Sequence, residues 1–225
     1  MNEEQFAEMR KHMVMEIVST TVMIGERLGR YNLDSRVMDV MGSVKRHEFV
    51  PVEIQPYAYM DRPLPIGYDK TISQPFIVAL MTDLLQIGAE DIVLEIGTGM
   101  GYQSAVLAAL ARKVYSIEII EPLARQAMKR LSAEGANNVE IRIGNGYNGW
   151  PEHAPFDCII ATAAPDLIPA PLINQLKPGG RMVIPAGLAD SQQLILVEKS
   201  AADGKVATRE IIPVRFSEME AADQG

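Results

Sequence analysis

The chain has 225 residues, with 21 Lys and Arg against 29 Asp and Glu, a formal charge of −8, 48% apolar and 22% charged residues. That is the mixture of an ordinary globular protein, long enough for one well-formed core, and its acidity weighs against a broad electrostatic grip on nucleic acid phosphates. The single cysteine, Cys158, excludes an intrachain disulfide and a cysteine-built zinc site. The acidic start lacks the basic-then-apolar order of a secretory signal, and the apolar stretches are interrupted too often for a membrane span. The expectation is a cytoplasmic protein with neither nucleic acid nor membrane as partner.

Glu3 to Arg30 carries Met9, Met13, Ile17, Val18, Met23, Ile24 and Leu28 at roughly helical spacing, which predicts a helix packed on its own sheet. Such packing favours a monomer, and the methionines read as core filling. Leu33-Asp34-Ser35 opens a second helix, capped by Asp34 or Ser35. Prolines 51, 56, 63, 65 and 75 then impose a long loop from Pro51 to Gln74. Such loops are often functional.

From Asp91 the texture changes to strands alternating with helices. Strands are predicted at Ile92–Ile96, Lys113–Glu118, Val139–Ile143, Phe156–Ala161, Arg181–Pro185, Leu194–Glu198 and Ile211–Phe216. Helices are predicted at Gly101–Arg112, Pro122–Gly135 and Ala170–Leu176. The pattern implies an α/β fold with a doubly wound, seven-stranded, mostly parallel sheet. The last two strands have no helix between them, so an antiparallel hairpin is expected at one edge.

The segment Glu95-Ile96-Gly97-Thr98-Gly99-Met100-Gly101 closes the first of these strands and opens a helix. Glycines at such a turn let a ligand approach the backbone closely. The spacing is G-x-G-x-G, and Tyr102 stands where a nicotinamide-type fingerprint needs its third glycine. Glu118, 21 residues after Gly97, ends the next strand and can accept both hydroxyl hydrogens of a ribose. Together they point to an adenosine-type ligand on the carboxyl edge of the sheet.

The glutamate before the loop, the glycine spacing and the antiparallel end resemble a class I S-adenosylmethionine-dependent methyltransferase. Further blocks narrow the likeness: His47-Glu48-Phe49-Val50-Pro51, Asp61-Arg62-Pro63-Leu64-Pro65-Ile66-Gly67, Thr71-Ile72-Ser73-Gln74-Pro75, Gly149-Trp150-Pro151-Glu152 and Val214-Arg215-Phe216. In order and spacing, over about residues 10 to 219, they resemble the protein-L-isoaspartate O-methyltransferase family. The resemblance implies a Rossmann-like single domain. Residues 1–88 would form a helical and loop region contributing to the site, 89–216 the cofactor-binding sheet, and 217–225 a tail.

It also implies S-adenosyl-L-methionine as cofactor and isoaspartyl-containing proteins and peptides as substrates. Ser73 would be the active-site serine beside the substrate carboxylate, and Lys70, Thr71 and Ile72 would cover the cofactor. Gly97, Thr98, Gly99, Met100 and Gly101, with Gln103, would cradle its methionine end. Glu118 and Ile119 would take the ribose, and Asn145 and Gly146 the adenine side. A carboxylate is ionised at pH 7, so methyl transfer to it needs alignment and no general base. Ser73 is therefore read as an orienting group, and its place before an apolar run also suits a helix cap.

The chain departs from the family pattern at Tyr68-Asp69-Lys70, at Met100, at Asn145 and in the tail Phe216-Ser217-Glu218-Met219. These departures leave two alternatives: a carboxyl or small-molecule methyltransferase with another acceptor, or a non-catalytic adenosine-ligand-binding module. Lys70 is the expected positive group for an anionic acceptor. His12, His47 and His153 read as surface or packing residues, Cys158 as an inert buried thiol, Trp150 as a packing anchor, and Asp157 as either structural or a strand-end residue near the cofactor.

Overall fold

The computed structural model describes residues 1–221; the last four residues of the expected tail lie outside them. Helix α1 (Glu3–Met23) starts with a capping box between Asn2 and Gln5, and α2 (Gly25–Leu28) follows almost directly. Helix α3 (Ser35–Ser43) is capped by Asp34, whose side chain accepts the Arg36 N–H. Met13 and Ile17 of α1 are buried, whereas Val18 is 50% and Met23 83% exposed. Val18 lies one residue, or about 100° of helix, past Ile17 and so cannot share its face. Helix α1 packs on α3 and on α4 (Pro75–Leu85) rather than on the sheet. Helix α4, buried along nearly its whole length, is the layer between.

The expected loop from Pro51 to Gln74 is more ordered than its prolines suggest. After a 3₁₀ turn at Arg46–Phe49, a second occupies Val52–Tyr57 within the loop, and a hairpin follows, of β1 (Leu64–Gly67) and β2 (Lys70–Ile72). Its two-residue turn, Tyr68-Asp69, has φ of 54° at both positions, the left-handed pair of a type I′ turn. Prolines 63 and 65 are tolerated because this two-stranded sheet offers an edge wherever a donor is missing.

The main sheet comprises β3 (Ile92–Ile96), β4 (Lys113–Glu118), β5 (Val139–Ile143), β6 (Phe156–Ala161), β7 (Leu176–Ala186), β8 (Gln193–Lys199) and β9 (Val206–Pro213). Their spatial order is β5-β4-β3-β6-β7-β8-β9. Strands β5 to β7 in this order pair in parallel, β8 runs antiparallel to β7, and β9 antiparallel to β8. The antiparallel end therefore comprises two consecutive reversals, of which the β8–β9 hairpin was expected. Strand β9 begins five residues before the expected Ile211 because Val206 to Glu210 are all exposed on the sheet edge and show no alternation.

Alternate residues build two apolar layers. Val93, Val114, Ile160 and Val183 join the layer formed with α3, α4, α5 (Tyr102–Ala108) and α6 (Glu121–Ala133). Leu94, Ile159, Met182 and Ile184 join the opposite layer, with Trp150 and with Leu172 of α7 (Ala170–Gln175). Helices on both faces make the sheet doubly wound. Among the described residues no helix is long and apolar enough to cross a membrane.

Candidate active site

From β3 the chain winds outward through β4 and β5, then returns to place β6 on the other side of β3. That reversal opens a crevice at the carboxyl ends of β3 and β6, the preferred ligand position in open α/β sheets. Gly97 follows β3 with its N–H on Ile117 O (2.8 Å), and Thr162 follows β6 with its N–H on Ile96 O (2.8 Å). Gly97 has φ of 92°, and a Cβ there would fall 2.5 Å from Thr162 Oγ1. Thr162 Oγ1 donates in turn to Gly97 O at 2.6 Å. Gly101, with φ of 98°, sets its α-carbon against Leu131 and Ala127 of α6, fixing the loop to the helix layer.

Buried polar groups support this loop from below. Glu95 Oε2 accepts from Ser104 Oγ and from Ser116 Oγ, the latter at 2.6 Å. Because Ser116 spends its proton on Glu95, Thr98 Oγ1 is the donor in its 2.5 Å bond to Ser116 Oγ. Glu95 Oε1 has no partner, and burial pushes the Glu95 pKa up to about 7. Glu118 ends β4: Oε2 accepts the Gly99 N–H (2.7 Å) and Oε1 the Ile120 N–H (2.9 Å). Burial raises its pKa while those backbone donors pull it back down. Each oxygen keeps a free lone pair, so the carboxylate that shapes the loop can still accept ligand hydroxyls.

The β1–β2 hairpin brings Lys70, Thr71, Ile72 and Ser73 against the far wall of the crevice. Ser73 is held from behind by Arg46, which is wholly buried: Nη2 donates to Ser73 O (2.7 Å) and Nε to Ala58 O (2.6 Å). The guanidinium lies 4.8 Å from the Tyr102 ring centroid, and burial lowers its pKa only to about 10, so it remains a cation. Ser73 does not cap α4. Gln74 occupies the cap position, and the acceptor for the first-turn Phe76 N–H is Asp61 Oδ1 at 2.8 Å, with Asp61 Oδ2 holding the Gln74 amide (2.9 Å).

Ten of the expected cofactor residues meet in one cavity, with Ser73: Lys70, Thr71, Ile72, Gly97, Thr98, Gly99, Met100, Gln103, Glu118 and Ile119. Gly101, Asn145 and Gly146 are not in its lining. Asn145 Oδ1 accepts the Tyr147 N–H at 2.9 Å, and a Cβ at Gly146 would sit 2.4 Å from Ile96 Cγ2, so both residues back the wall. Of the three residues unlike the family pattern in the hairpin, Tyr68 and Asp69 form the turn outside the cavity, and only Lys70 faces it. Lys70 is not a free cation: its Nζ pairs with Glu220. Asp157 accepts the Ile92 N–H (2.9 Å) at the amino end of β3, opposite the crevice, which makes it structural.

Several lining residues were absent from the expectation. Thr162 was legible in principle, since it directly follows the strand on the far side of the switch point. The tail Ser217 to Glu220 also closes over the cavity. Ala164 N–H binds Ser217 O (2.9 Å), Met219 N–H binds Ala164 O (2.8 Å), and Tyr147 Oη donates to Met219 O (3.1 Å). A second cavity adjoins the first, sharing Thr71, Ser73, Thr162 and Ser217 and continuing along Pro213 to Phe216. Cys158 is buried on the sheet and its thiol is pushed up to about 12 by burial, an inert group as expected.

The sheet order, the glycine loop and the carboxylate at the next strand's end define a Rossmann-like methyltransferase of class I. The particular lineage follows from comparison. The family model described as "Protein-L-isoaspartate(D-aspartate) O-methyltransferase (PCMT)" matches residues 19–223. A Polaromonas protein named protein-L-isoaspartate O-methyltransferase 1 is 62% identical over 225 residues, covering 100% of this chain and 95% of its own length. A Cupriavidus necator protein of the same name is 57% identical, covering 95% of this chain and 83% of its own. A solved protein-L-isoaspartate O-methyltransferase superposes with a TM-score of 0.80 at 26% identity, covering 94% of this chain and 66% of its own. The chain belongs to the protein-L-isoaspartate (D-aspartate) O-methyltransferase family. A Plasmodium falciparum structure described as a putative member in complex with S-adenosyl-L-homocysteine shares the fold, with a TM-score of 0.78 at 18% identity.

Proposed function

We propose that the chain transfers a methyl group from S-adenosylmethionine to the free carboxylate of L-isoaspartyl residues in damaged proteins and peptides, which allows their repair. The observation that carries this reading is the junction of two cavities at Ser73, Thr71 and Thr162. One cavity has the glycine loop and a buried carboxylate; the other runs from Ser73 along Pro213 to Phe216 and would take the acceptor peptide.

The residues present fit the cofactor. Gly97 lets the loop turn tightly against Thr162 at the crevice, where a Cβ would strike the Thr162 hydroxyl, and Glu118 has lone pairs to spare beside Gly99. Gly97, Thr98 and Gly99 would hold its methionine end and Glu118 its ribose, with Ile119, Met100 and Gln103 as walls and Lys70, Thr71 and Ile72 as cover. Asn145 and Gly146 would support the adenine side from behind, and Gly101 would anchor the loop. Bound there, S-adenosylmethionine supplies an electrophilic methyl carbon on a sulfonium sulfur.

The acceptor carboxylate is ionised at neutral pH, so one of its oxygens forms the new O–CH₃ bond and no proton is exchanged. With the cofactor bound, the electron pair of the C–S bond would leave on sulfur, so the products would be the methyl ester and S-adenosylhomocysteine. What the protein supplies is alignment and exclusion of water. Ser73 Oγ orients the carboxylate by one donated hydrogen bond, its backbone fixed by Arg46. We read the protein as a cytoplasmic monomer of one methyltransferase domain. The test is transfer of label from methyl-labelled cofactor to an isoaspartyl peptide, read as base-labile methyl ester. Label in the protein's own product fraction without base lability would overturn carboxyl transfer.

A further inference from the structure

The acceptor is an anion on a chain of net charge −8, and Lys70, the cation expected to receive it, is paired with Glu220 on the cofactor side. Among the residues lining the second cavity Arg215 is the one that carries a charge, and none is a carboxylate. Among the described residues Arg215 takes part in no ion pair and no side-chain hydrogen bond, and it is exposed to solvent. Its backbone, in contrast, is fixed. The buried Gln192 receives the Phe216 N–H on Oε1 (2.7 Å), donates Nε2 to Phe216 O (3.2 Å), and accepts the Val214 N–H on its own backbone oxygen (3.1 Å). Both neighbours of Arg215 are thus clamped, and Val214 and Phe216 pack on the core while Arg215 stays outside it. A fixed backbone thus carries, at the cavity that meets Ser73, one guanidinium with no ion-pair partner among the described residues, the group best suited to grip a carboxylate.

We propose that Arg215 captures the carboxylate of the acceptor peptide at the mouth of the second cavity and so sets the affinity for anionic acceptors. This rests on the isoaspartyl reading given above. Arg215 acts on capture and not on the chemical step. A closed ion pair maintained through methyl transfer would tie up the attacking oxygen's electrons, whereas a solvent-exposed guanidinium can hand the carboxylate on to Ser73.

The experiment is steady-state methylation of an isoaspartyl peptide by the full chain and by R215Q, R215K, R215E and, as a control on the outer part of β9, R209Q. At low ionic strength R215Q raises KM about three- to tenfold, the range for a partly exposed charge-assisted contact. In that variant kcat and affinity for S-adenosylhomocysteine change less than about twofold. R215K recovers most of the loss, R215E raises KM further, and R209Q matches the wild type. Added salt raises the wild-type KM and leaves that of R215Q nearly flat, a response that a purely structural role for Arg215 would not give. Wild-type turnover with an unchanged KM in R215Q overturns the role of Arg215 alone. Absence of isoaspartyl-dependent turnover in the wild type overturns both this role and the functional reading.

Discussion

Glu95 beneath the glycine loop makes stability depend on pH in a direction opposite to most carboxylates. Its side chain is fully buried, one oxygen accepts from Ser104 and Ser116, and the other meets no donor, so burial raises the pKa from 4.5 to about 7. Between those values the unfolded chain has released the proton and the folded chain still holds it. Stability then falls as pH rises, by 1.36 kcal/mol per pH unit, until the folded group ionises. Integrated between pH 5 and pH 8, Glu95 accounts for a loss of about 2.5 kcal/mol. Glu95→Gln keeps an oxygen for Ser104 and Ser116 but cannot ionise. Denaturant unfolding of both proteins at the two pH values isolates the effect, because contributions of groups that do not interact with Glu95 cancel in the difference. The stability of E95Q relative to the wild type should rise by about 2 to 3 kcal/mol from pH 5 to pH 8. A difference that is the same at both pH values refutes the argument that Glu95 is held protonated by burial.

Other outcomes follow from single contacts. Ser73→Ala should lower kcat/KM for an isoaspartyl peptide about 10- to 100-fold. Calorimetric affinity for S-adenosylhomocysteine should stay nearly unchanged; the reverse pattern would make Ser73 a cofactor residue. Glu118→Ala removes the acceptor for the Gly99 and Ile120 N–H groups. It should weaken S-adenosylhomocysteine binding at least tenfold, on the order of 1.5–3 kcal/mol for a charged hydrogen bond, and unaltered binding would remove Glu118 from the site. Asp61→Ala strips the first turn of α4 of its acceptor and should cost about 1–2 kcal/mol of stability by chemical denaturation. No loss would mean that Phe76 N–H is satisfied by solvent.

Much of this was legible because the informative positions obey local rules. Gly97, Gly99 and Glu118 carry their meaning in spacing: only a strand-to-helix turn with a carboxylate at the next strand's end needs that pattern. The alternating strands likewise announced the parallel sheet. What stayed hidden depends on the third dimension. Nothing in the sequence couples Lys70 to Glu220, 150 residues away, or aims Arg46 at the carbonyl of Ser73. Val206 to Glu210 pair as an edge strand without any apolar alternation to mark them. Asp61 was visible only within a motif, and its task of capping the start of α4 from a distance made Ser73 look like the cap. Tyr68 and Asp69 seemed to alter the site because they adjoin it in sequence, yet the hairpin turn carries them out of it.

Selectivity for the isoaspartyl carboxylate is read directly from kcat/KM for a matched pair of peptides. The two peptides differ only in an isoaspartyl or a normal aspartyl residue at one position, and base-labile methyl incorporation is measured at saturating S-adenosylmethionine. The isoaspartyl peptide should be methylated efficiently and its aspartyl twin turned over at or near background. Equal turnover of the two peptides, or none with either, would contradict it.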